Sequence, residues 1–556
     1  MTMTADSPSP TQPAPLALET DQDDLRRARA ALDAHQFEAC VALCRDMRGQ
    51  GNTHPVLDYM EGISLFQLGH REVGTAMIGR AAERQPDNLL LRIDHANSLA
   101  AVGLMPAAIQ VMIEGIRRHG PHPDIAQRLA LMFSDIGQHY KAQLLLVSSI
   151  AAYPARVDLC CMLAAELAAE LKTNEAITLM ELSHILCGDV PGIHSSLAVL
   201  HQARGDVDQA ITHYRRAIDL APDLPLPHAN LSTALLLRHD YARGYQEAEW
   251  RLKSGHVRMA QVPAPRWSGE DLAGKTLLVT AEQGFGDMIQ HARFLAPLRG
   301  RGGTVILECH NGLERLLAEA EGVDSTISLV TDGVFPPCDY TIPLVSLPLV
   351  LGCDRAFLEA SVPYLPTPPA LTARELLTPP GIRLKVGLTW ASRRAHGEVY
   401  SRRMLNRRSC TLEQMAQLGE AEGVALFSLQ KGDVAEQLGG TPYPITDLSP
   451  RLTDFQQTAA AIAALDLVIT VDTSVAHLAG AMGKPVWILL APGQIDYRWG
   501  EEAQSPWYRQ ARLYRGGQGG WAGLVRAVLA DLKAAAAGTL PLQAAERAPA
   551  GLSVQE

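Results

Sequence analysis

A chain of 556 residues with a formal net charge of −11 is too long for one compact core. Its acidic balance argues against nucleic acid as the main partner, because phosphate binding depends on Lys and Arg. Nine cysteines without a CxxC pair offer no zinc pattern and read as free thiols of a reducing compartment. No apolar run approaches the roughly 18 residues of a membrane span, so the expectation is a cytoplasmic protein that is not integral to a membrane.

Residues 1–21 are rich in Pro, Ser and Thr and lack the basic start and apolar core of a signal peptide; they read as a disordered tail. Over residues 22–254 small residues then recur with a fixed step. Gly74, Ala108, Ala142, Ala176 and Ala210 lie 34 apart, and each is followed twelve residues later by a breaker: Pro86, Gly120, Pro154, Gly188 and Pro222. That period is the one of tetratricopeptide (TPR) helix–turn–helix units. The phase extends back to Cys40 and forward to Gly244, giving six or seven units. In the clearest copy Gly205 occupies the turn between two helices, Ala210 and Ala217 permit close helix approach, Tyr214 fills the space between repeats, and Pro222 ends the second helix. Such arrays present grooves that hold a peptide or another protein; the alternatives are a spacer or a dimerisation surface. Asn97 and Asn230 fall near the groove-facing positions.

Residues 255–274 break the period with Pro263, Pro265, Gly269 and Gly274 and read as a linker. Beyond them Thr276–Ala281, Thr304–Cys309, Lys385–Trp390, Val424–Leu429, Leu467–Val471 and Val486–Leu490 read as strands that alternate with helical runs. Alternation of this kind predicts parallel sheets covered by helices. The Pro-rich stretch Val362–Pro380 divides the strands into two Rossmann-like lobes, 275–366 and 381–533, with a second tail over 534–556. Ligands of such sheets bind beyond the carboxyl ends of the strands.

Two strand-to-helix junctions carry the chemistry. The first runs Glu282-Gln283-Gly284-Phe285-Gly286-Asp287. Here Gly284 and Gly286 suit a tight turn and close approach to a ligand, and Asp287 is either a helix cap or a catalytic base. The second runs Asp472-Thr473-Ser474-Val475-Ala476-His477. A buried strand ends at Asp472, and the helix opened by Thr473 and Ser474 offers free N–H groups and hydroxyls to an anion, with His477 one turn on. The alternative is a plain capped helix with His477 in the core.

Residues 265–515 resemble the glycosyltransferase domain of bacterial TPR-glycosyltransferases, which is related to the lipopolysaccharide heptosyltransferases of the GT-B fold. The matching segments include Pro265-Arg266-Trp267, Glu282–Asp287, Leu344–Pro348, Val386–Trp390, Ser428-Leu429-Gln430-Lys431-Gly432, Thr458–Gly480 and Ser505–Tyr508. The resemblance implies a TPR solenoid followed by a GT-B domain of two Rossmann-like lobes. It implies that Asp287 is the general base that deprotonates an acceptor hydroxyl. It places Gly284, Gly286, Asp472, Thr473, Ser474 and His477 at the donor's phosphate and sugar, and Trp390, Gln430 and Lys431 at the nucleotide or sugar. Lys431 or Arg408 would neutralise the departing phosphate. No DxD metal motif occurs in this half, so no metal or other cofactor beyond the nucleotide-sugar is expected, with inversion at the anomeric carbon. The expected acceptor is a polypeptide held by the TPR groove, flagellin first among them, and the sugar a nonulosonic acid such as pseudaminic acid. A lipopolysaccharide or polysaccharide acceptor and a non-catalytic adaptor are the alternatives.

Two departures stand out. Segment 392–408 is longer than in related chains and carries Arg393, Arg394, Arg402, Arg403, Arg407 and Arg408; it is either a solvated loop or a lid over an acidic donor. Asp496-Tyr497-Arg498-Trp499 replaces the family's Asp-Trp-Arg-Trp.

Overall fold

The computed structural model describes residues 23–544, except 121, 256, 258–259, 283, 332, 372–375, 377–379, 393–407, 492–495, 501–503 and 518. Gln283, five of the loop arginines (Arg393, Arg394, Arg402, Arg403 and Arg407), the N-terminal tail and residues 545–556 lie outside the described residues. The chain divides between Leu200 and His201 into two compact units.

The helical part consists, among the described residues, of helices at Asp23–Asp33 (α1), Phe37–Gly49 (α2), Pro55–Gln67 (α3), Arg71–Arg84 (α4), Leu89–Ala101 (α5), Met105–His119 (α6), Pro123–Asp135 (α7), His139–Ala152 (α8), Val157–Ala169 (α9), Thr173–Cys187 (α10), Pro191–Arg204 (α11), Val207–Leu220 (α12), Pro225–Leu237 (α13) and Tyr241–Ala248 (α14). They form seven pairs. The small residues at the repeating phase all lie on the second helix of a pair, and Cys40, Gly74, Ala108, Ala142, Ala176, Ala210 and Gly244 are all buried. At Gly74 a Cβ would sit 2.6 Å from the Gly62 carbonyl oxygen, so α3 and α4 approach closer there than any side chain allows. A second 34-residue series appears only in the backbone. His35, Gly69, Gly103, Gly137, Leu171, Gly205 and His239 all adopt positive φ, from 57° to 100°, and each closes the turn inside one pair. Glycine meets this at no steric cost, whereas His35, Leu171 and His239 carry a side chain into it at about 1–2 kcal/mol each. Tyr214 is buried and donates to Gln202 Oε1 at 3.1 Å. Of the two groove asparagines, Asn97 is half-buried and Asn230 is buried.

In the second unit α12–α14 accompany two parallel sheets. The first has the order β3-β2-β1-β4, with β1 at Thr276–Thr280, β2 at Thr304–Cys309, β3 at Ser325–Ser328 and β4 at Tyr340–Pro343. The second has the order β10-β9-β8-β5-β6-β7, with β5 at Leu384–Thr389, β6 at Val424–Ser428, β7 at Ile445–Asp447, β8 at Leu467–Val471, β9 at Val486–Leu490 and β10 at Ala511–Arg515. Helices α15 (Phe285–His291), α16 (Glu314–Leu317), α17 (Leu347–Leu351) and α18 (Arg355–Ala360) accompany the first sheet. Helices α19 (Leu412–Ala416), α20 (Phe455–Ala463), α21 (Ser474–Ala481) and α22 (Gly520–Ala536) accompany the second. This is an all-helical TPR-like array followed by an α/β domain of GT-B-like kind. No helix among the described residues is long and apolar enough to cross a membrane.

Three boundaries differ from the sequence reading. The helical array does not separate from the lobes at residue 254, because Leu236, Tyr241 and Tyr245 share one core with Trp267 and Phe294. The segment read as a linker is part of the first lobe. Trp267 donates its backbone N–H to Thr341 at 2.9 Å and Thr341 donates back to Pro265 at 3.0 Å, which extends the sheet beyond β4. Nor does the second lobe stop at 533. Helix α22 runs to Ala536, and the buried Trp487 indole, which needs an acceptor, donates to the Leu542 carbonyl at 2.8 Å.

Candidate active site

The two junctions that stand out in the sequence face each other. Gly286, in the first turn of α15, packs on the other helix start: a Cβ there would lie 3.0 Å from His477 Cδ2 and 3.6 Å from Ser474 Cα. Gly284 and Gly286 are both outside the positive-φ region, with Gly284 extended at φ −99°. The glycine at 286 is therefore required by the imidazole packed on it and not by a tight turn.

Asp287 is the third residue of α15, and its Oδ2 accepts from the Gly284 N–H at 3.2 Å. Its other oxygen is taken by a residue from the opposite lobe: Arg498 Nη2 donates to Asp287 Oδ1 at 2.6 Å. The same guanidinium donates through Nε to Gln290 Oε1 at 2.8 Å and through Nη1 to Asp496 Oδ2 at 2.9 Å. Arg408 extends the chain of charge, 3.3 Å from Asp472 Oδ2 and 4.0 Å from Asp496 Oδ2. Burial by itself would raise the Asp287 carboxyl, but Arg498, with smaller help from His291 and His477, holds it below the usual carboxylate range. Asp496 behaves alike, with Arg498 and Arg408 overcoming burial.

Helix α21 begins differently. Its N-cap Thr473 makes no capping bond; its Oγ1 is hydrogen-bonded to Thr470 Oγ1 at 3.0 Å. The N-terminal amides of this eight-residue helix are thus left without that side chain, beside Arg408 and Ser474. His477 is buried, stacked on Trp499 at 5.1 Å and hydrogen-bonded through Nδ1 to the Tyr508 hydroxyl at 3.0 Å. Burial, and then the Arg498 charge, pushes it down to about 3, so it is neutral at physiological pH. The Tyr508 hydroxyl continues to Tyr364, which donates to the Ile289 carbonyl on α15.

Three residues expected at the donor have other work. Trp390 is fully buried in the core of the second lobe, because its position at the end of an interior strand turns the ring inward. The Gln430 side chain is consumed: Oε1 accepts from the N–H of Trp390 and Ala391, and Nε2 donates to the carbonyls of Ala391 and Lys431. It ties the ends of β5 and β6 and presents nothing outward. Lys431 is exposed and donates to the Ser449 carbonyl at 2.9 Å. Beside these strand ends lies a cavity of about 570 Å³ lined by residues such as Ser392, Ser409, Thr411, Gln437 and Thr441.

Sequence reasoning missed the supports. Arg498 gave a signal in its Asp-Tyr-Arg-Trp segment, but nothing local pairs it with a carboxylate two hundred residues earlier. Arg251, beyond the end of α14, holds Glu282 of the first junction with two bonds of 2.9 and 2.6 Å and donates to Ser346 Oγ. Arg293, on the first lobe, donates to the Trp507 carbonyl at 3.1 Å and stacks against Tyr364, Trp507 and Tyr508. The Gln290 Nε2 and Trp499 Nε1 donors are buried with no hydrogen-bond partner among the described residues. With Arg498 and Arg408, whose guanidinium groups are paired with Asp287, Asp472 and Asp496, they make this a donor-rich site.

The sequence profile of glycosyltransferase family 9 (heptosyltransferase) matches residues 413–499, a stretch that holds Asp472–His477, Asp496 and Arg498 but not Asp287 or Arg408. The chain thus combines TPR-like helix pairs with an α/β domain that resembles the heptosyltransferases over that stretch. Among curated proteins it is similar to Protein FlbA of Caulobacter vibrioides, 26% identical over 340 residues; the match covers 52% of each chain, so this protein spans about half of that relative's length. Two solved structures are also similar to it. One is a TPR protein of Thermus thermophilus (21% identity, 33% of this chain and 99% of that one, TM-score 0.27). The other is a TPR protein of Parabacteroides merdae (10% identity, 42% and 93%, TM-score 0.36).

Proposed function

We propose that the protein transfers a sugar from a nucleotide-sugar to a hydroxyl of a polypeptide that its helical array recruits. The observation that carries this reading is the position of Asp287, held at the start of one helix by Arg498 and facing the uncapped start of α21. The Asp287 carboxylate takes the proton of the acceptor hydroxyl while that oxygen forms its bond to the anomeric carbon. The bond from that carbon to the donor phosphate breaks with inversion, and the phosphate leaves with the electron pair. Arg408 and the amides of α21 stabilise that charge, and Lys431 closes on it once released from Ser449. The cavity at the ends of β5 and β6 accommodates the nucleotide. Arg498 keeps Asp287 ionised and aimed; each carboxylate oxygen keeps acceptor capacity beyond the bonds it already makes. No step of this scheme uses a metal ion.

The donor-rich site fits an acidic sugar such as a nonulosonic acid, and flagellin is the first acceptor to test, in the cytoplasm where it is made. A lipopolysaccharide acceptor is the second reading, favoured by the heptosyltransferase profile. Incubation of the purified protein with each acceptor and a set of nucleotide-sugars, followed by intact mass of the acceptor, decides between them. A mass gain on flagellin that disappears in Asp287→Asn supports the proposal; modification of lipopolysaccharide alone replaces it with the second reading; no gain on any acceptor refutes both.

A further inference from the structure

The repeat array departs from its own pattern at one turn. At the phase of residue 184 three units place an isoleucine, Ile116, Ile150 and Ile218, and the others Arg48, Ala82 and Leu252; none places a histidine. This unit places His184. At the phase of 189 the two preceding units carry Pro121 and Ala155, and this one carries Asp189; at the phase of 194 they carry Ala126 and Cys160, and this one carries His194. The unit that follows has Asp223 and His228 but keeps the isoleucine, and its histidine is held by Glu247 at 2.6 Å and by the Pro222 carbonyl at 2.9 Å. A histidine at the last position is thus compatible with a purely structural bond, and the departure peculiar to the α10–α11 turn is the added imidazole at 184. A break in a local rule without a packing reason marks a site of function.

The three side chains converge. One ligand atom each from His184, Asp189 and His194 lies within 4.8 Å of the other two. His194 Nε2 is 2.5 Å from Asp189 Oδ1, and the two rings meet edge to face at 5.2 Å. His184 Nδ1 lies 3.0 Å from the Gly188 carbonyl oxygen. A carbonyl only accepts, so Nδ1 carries the proton and Nε2 keeps its lone pair. A backbone carbonyl that fixes the tautomer in this way is the usual outer support of a metal-binding histidine. Gly188 returns the bond through its own N–H to the His184 carbonyl at 2.8 Å, so the ring is held from both ends of the turn. The side chain of His194 is only 8% exposed, which limits the rotamers it can adopt. The three positions come from the last turn of α10, the connection and the first turn of α11, at i, i+5 and i+10, so closing the site orders little chain.

We propose that His184, Asp189 and His194 bind a divalent transition-metal ion of the zinc class at the α10–α11 turn. Two imidazoles and a carboxylate are the ligand set of such ions, with water completing the coordination. Uptake displaces the proton that His194 donates to Asp189 and draws the ligand atoms to roughly 3.3 Å apart, as bonds of about 2.0–2.1 Å in a tetrahedron require. The ion then clamps two neighbouring helix pairs.

His184→Ile is the discriminating variant, because it places the isoleucine that the array already carries at this phase in three units, Ile116, Ile150 and Ile218. The full-length protein, stripped with chelator and desalted, is titrated with Zn2+ against a chromophoric competitor. The wild type is expected to take up one equivalent that His184→Ile binds at least tenfold more weakly. Its melting temperature rises with Zn2+ while that of the variant does not. With Co2+ the wild type shows ligand-field bands without thiolate charge transfer, which separates this site from the cysteines. Asp189→Asn gives the same loss by a second route. Equal stoichiometry and affinity in wild type and both variants, or a cobalt spectrum dominated by thiolate, overturns the proposal.

Discussion

The two helix starts of the site look alike in the sequence, each a β-strand running into a short polar segment and then a helix, yet they are finished in opposite ways. At α15 the acidic residue sits inside the helix, closes the start by accepting from Gly284, and is clamped by Arg498 from the other lobe. At α21 the residue positioned to cap turns its hydroxyl away to Thr470 and leaves the start open. The first junction holds a negative charge in place; the second leaves its helix start without a side-chain cap. At Asp287 one carboxylate oxygen closes the helix start and the other meets Arg498.

The largest test of this contrast is Asp287→Asn, which keeps the shape and removes the base. Turnover is expected to fall by about 10²–10⁴-fold, while the rise in melting temperature on adding the donor nucleotide persists, because the second junction is intact. Next in size is Arg251→Ala. It strands Glu282, buried behind the first junction with two charge-assisted bonds, and is expected to destabilise the protein by about 3–5 kcal/mol, read from the midpoint of urea unfolding. A change of less than 1 kcal/mol there would mean that the first junction does not depend on this support.

Gly286→Ala probes the contact between the two junctions. Its methyl would stand 3.0 Å from His477, and about 1–3 kcal/mol of stability should be lost, with an altered KM for donor as His477 moves.

The pH dependence sharpens the electrostatic half of the contrast. Asp287 lies below the ordinary carboxylate range, so under the proposed mechanism the acid limb of kcat/KM is expected below that range. His477, at about 3, contributes no limb near the ordinary imidazole value. Arg498→Gln removes the charge that lowers Asp287 while burial remains, so the acid limb should move to higher pH. An unmoved limb with reduced kcat would leave Arg498 a merely structural part.

The smallest effect is expected at Thr473→Ala. Loss of an N-cap usually costs about 1 kcal/mol, and Thr411→Ala, whose hydroxyl does accept from Gln414 N–H, should show that cost. Thr473→Ala should lose no more than about 0.5 kcal/mol, because its hydroxyl caps nothing, but should weaken donor binding measured by calorimetry.

The sequence by itself determined the repeat and the interior of both sheets. The 34-residue phase is written in side chains that must be small wherever helices touch, and the strands legible as apolar runs are β1, β2, β5, β6, β8 and β9, the interior strands, which are covered on both faces. The strands it did not reveal, β3, β4, β7 and β10, are the outermost named strands of the two sheets, with only the single bridge at Arg266 beyond β4. Edge strands are short and partly polar, and their pairing is decided by the neighbour that is already in place. The same holds at the site. The two junctions that hold Asp287, Asp472 and His477 were legible as strand-to-helix turns because each is a local segment with its own turn chemistry; that they pack on each other was not. The clamp of Arg498 on Asp287, the support of Arg251 on Glu282, the inward turn of Trp390 and the spent side chain of Gln430 were decided only by tertiary structure. Each depends on a partner far away in the chain or on which face of a strand is covered, and no local residue pattern encodes either.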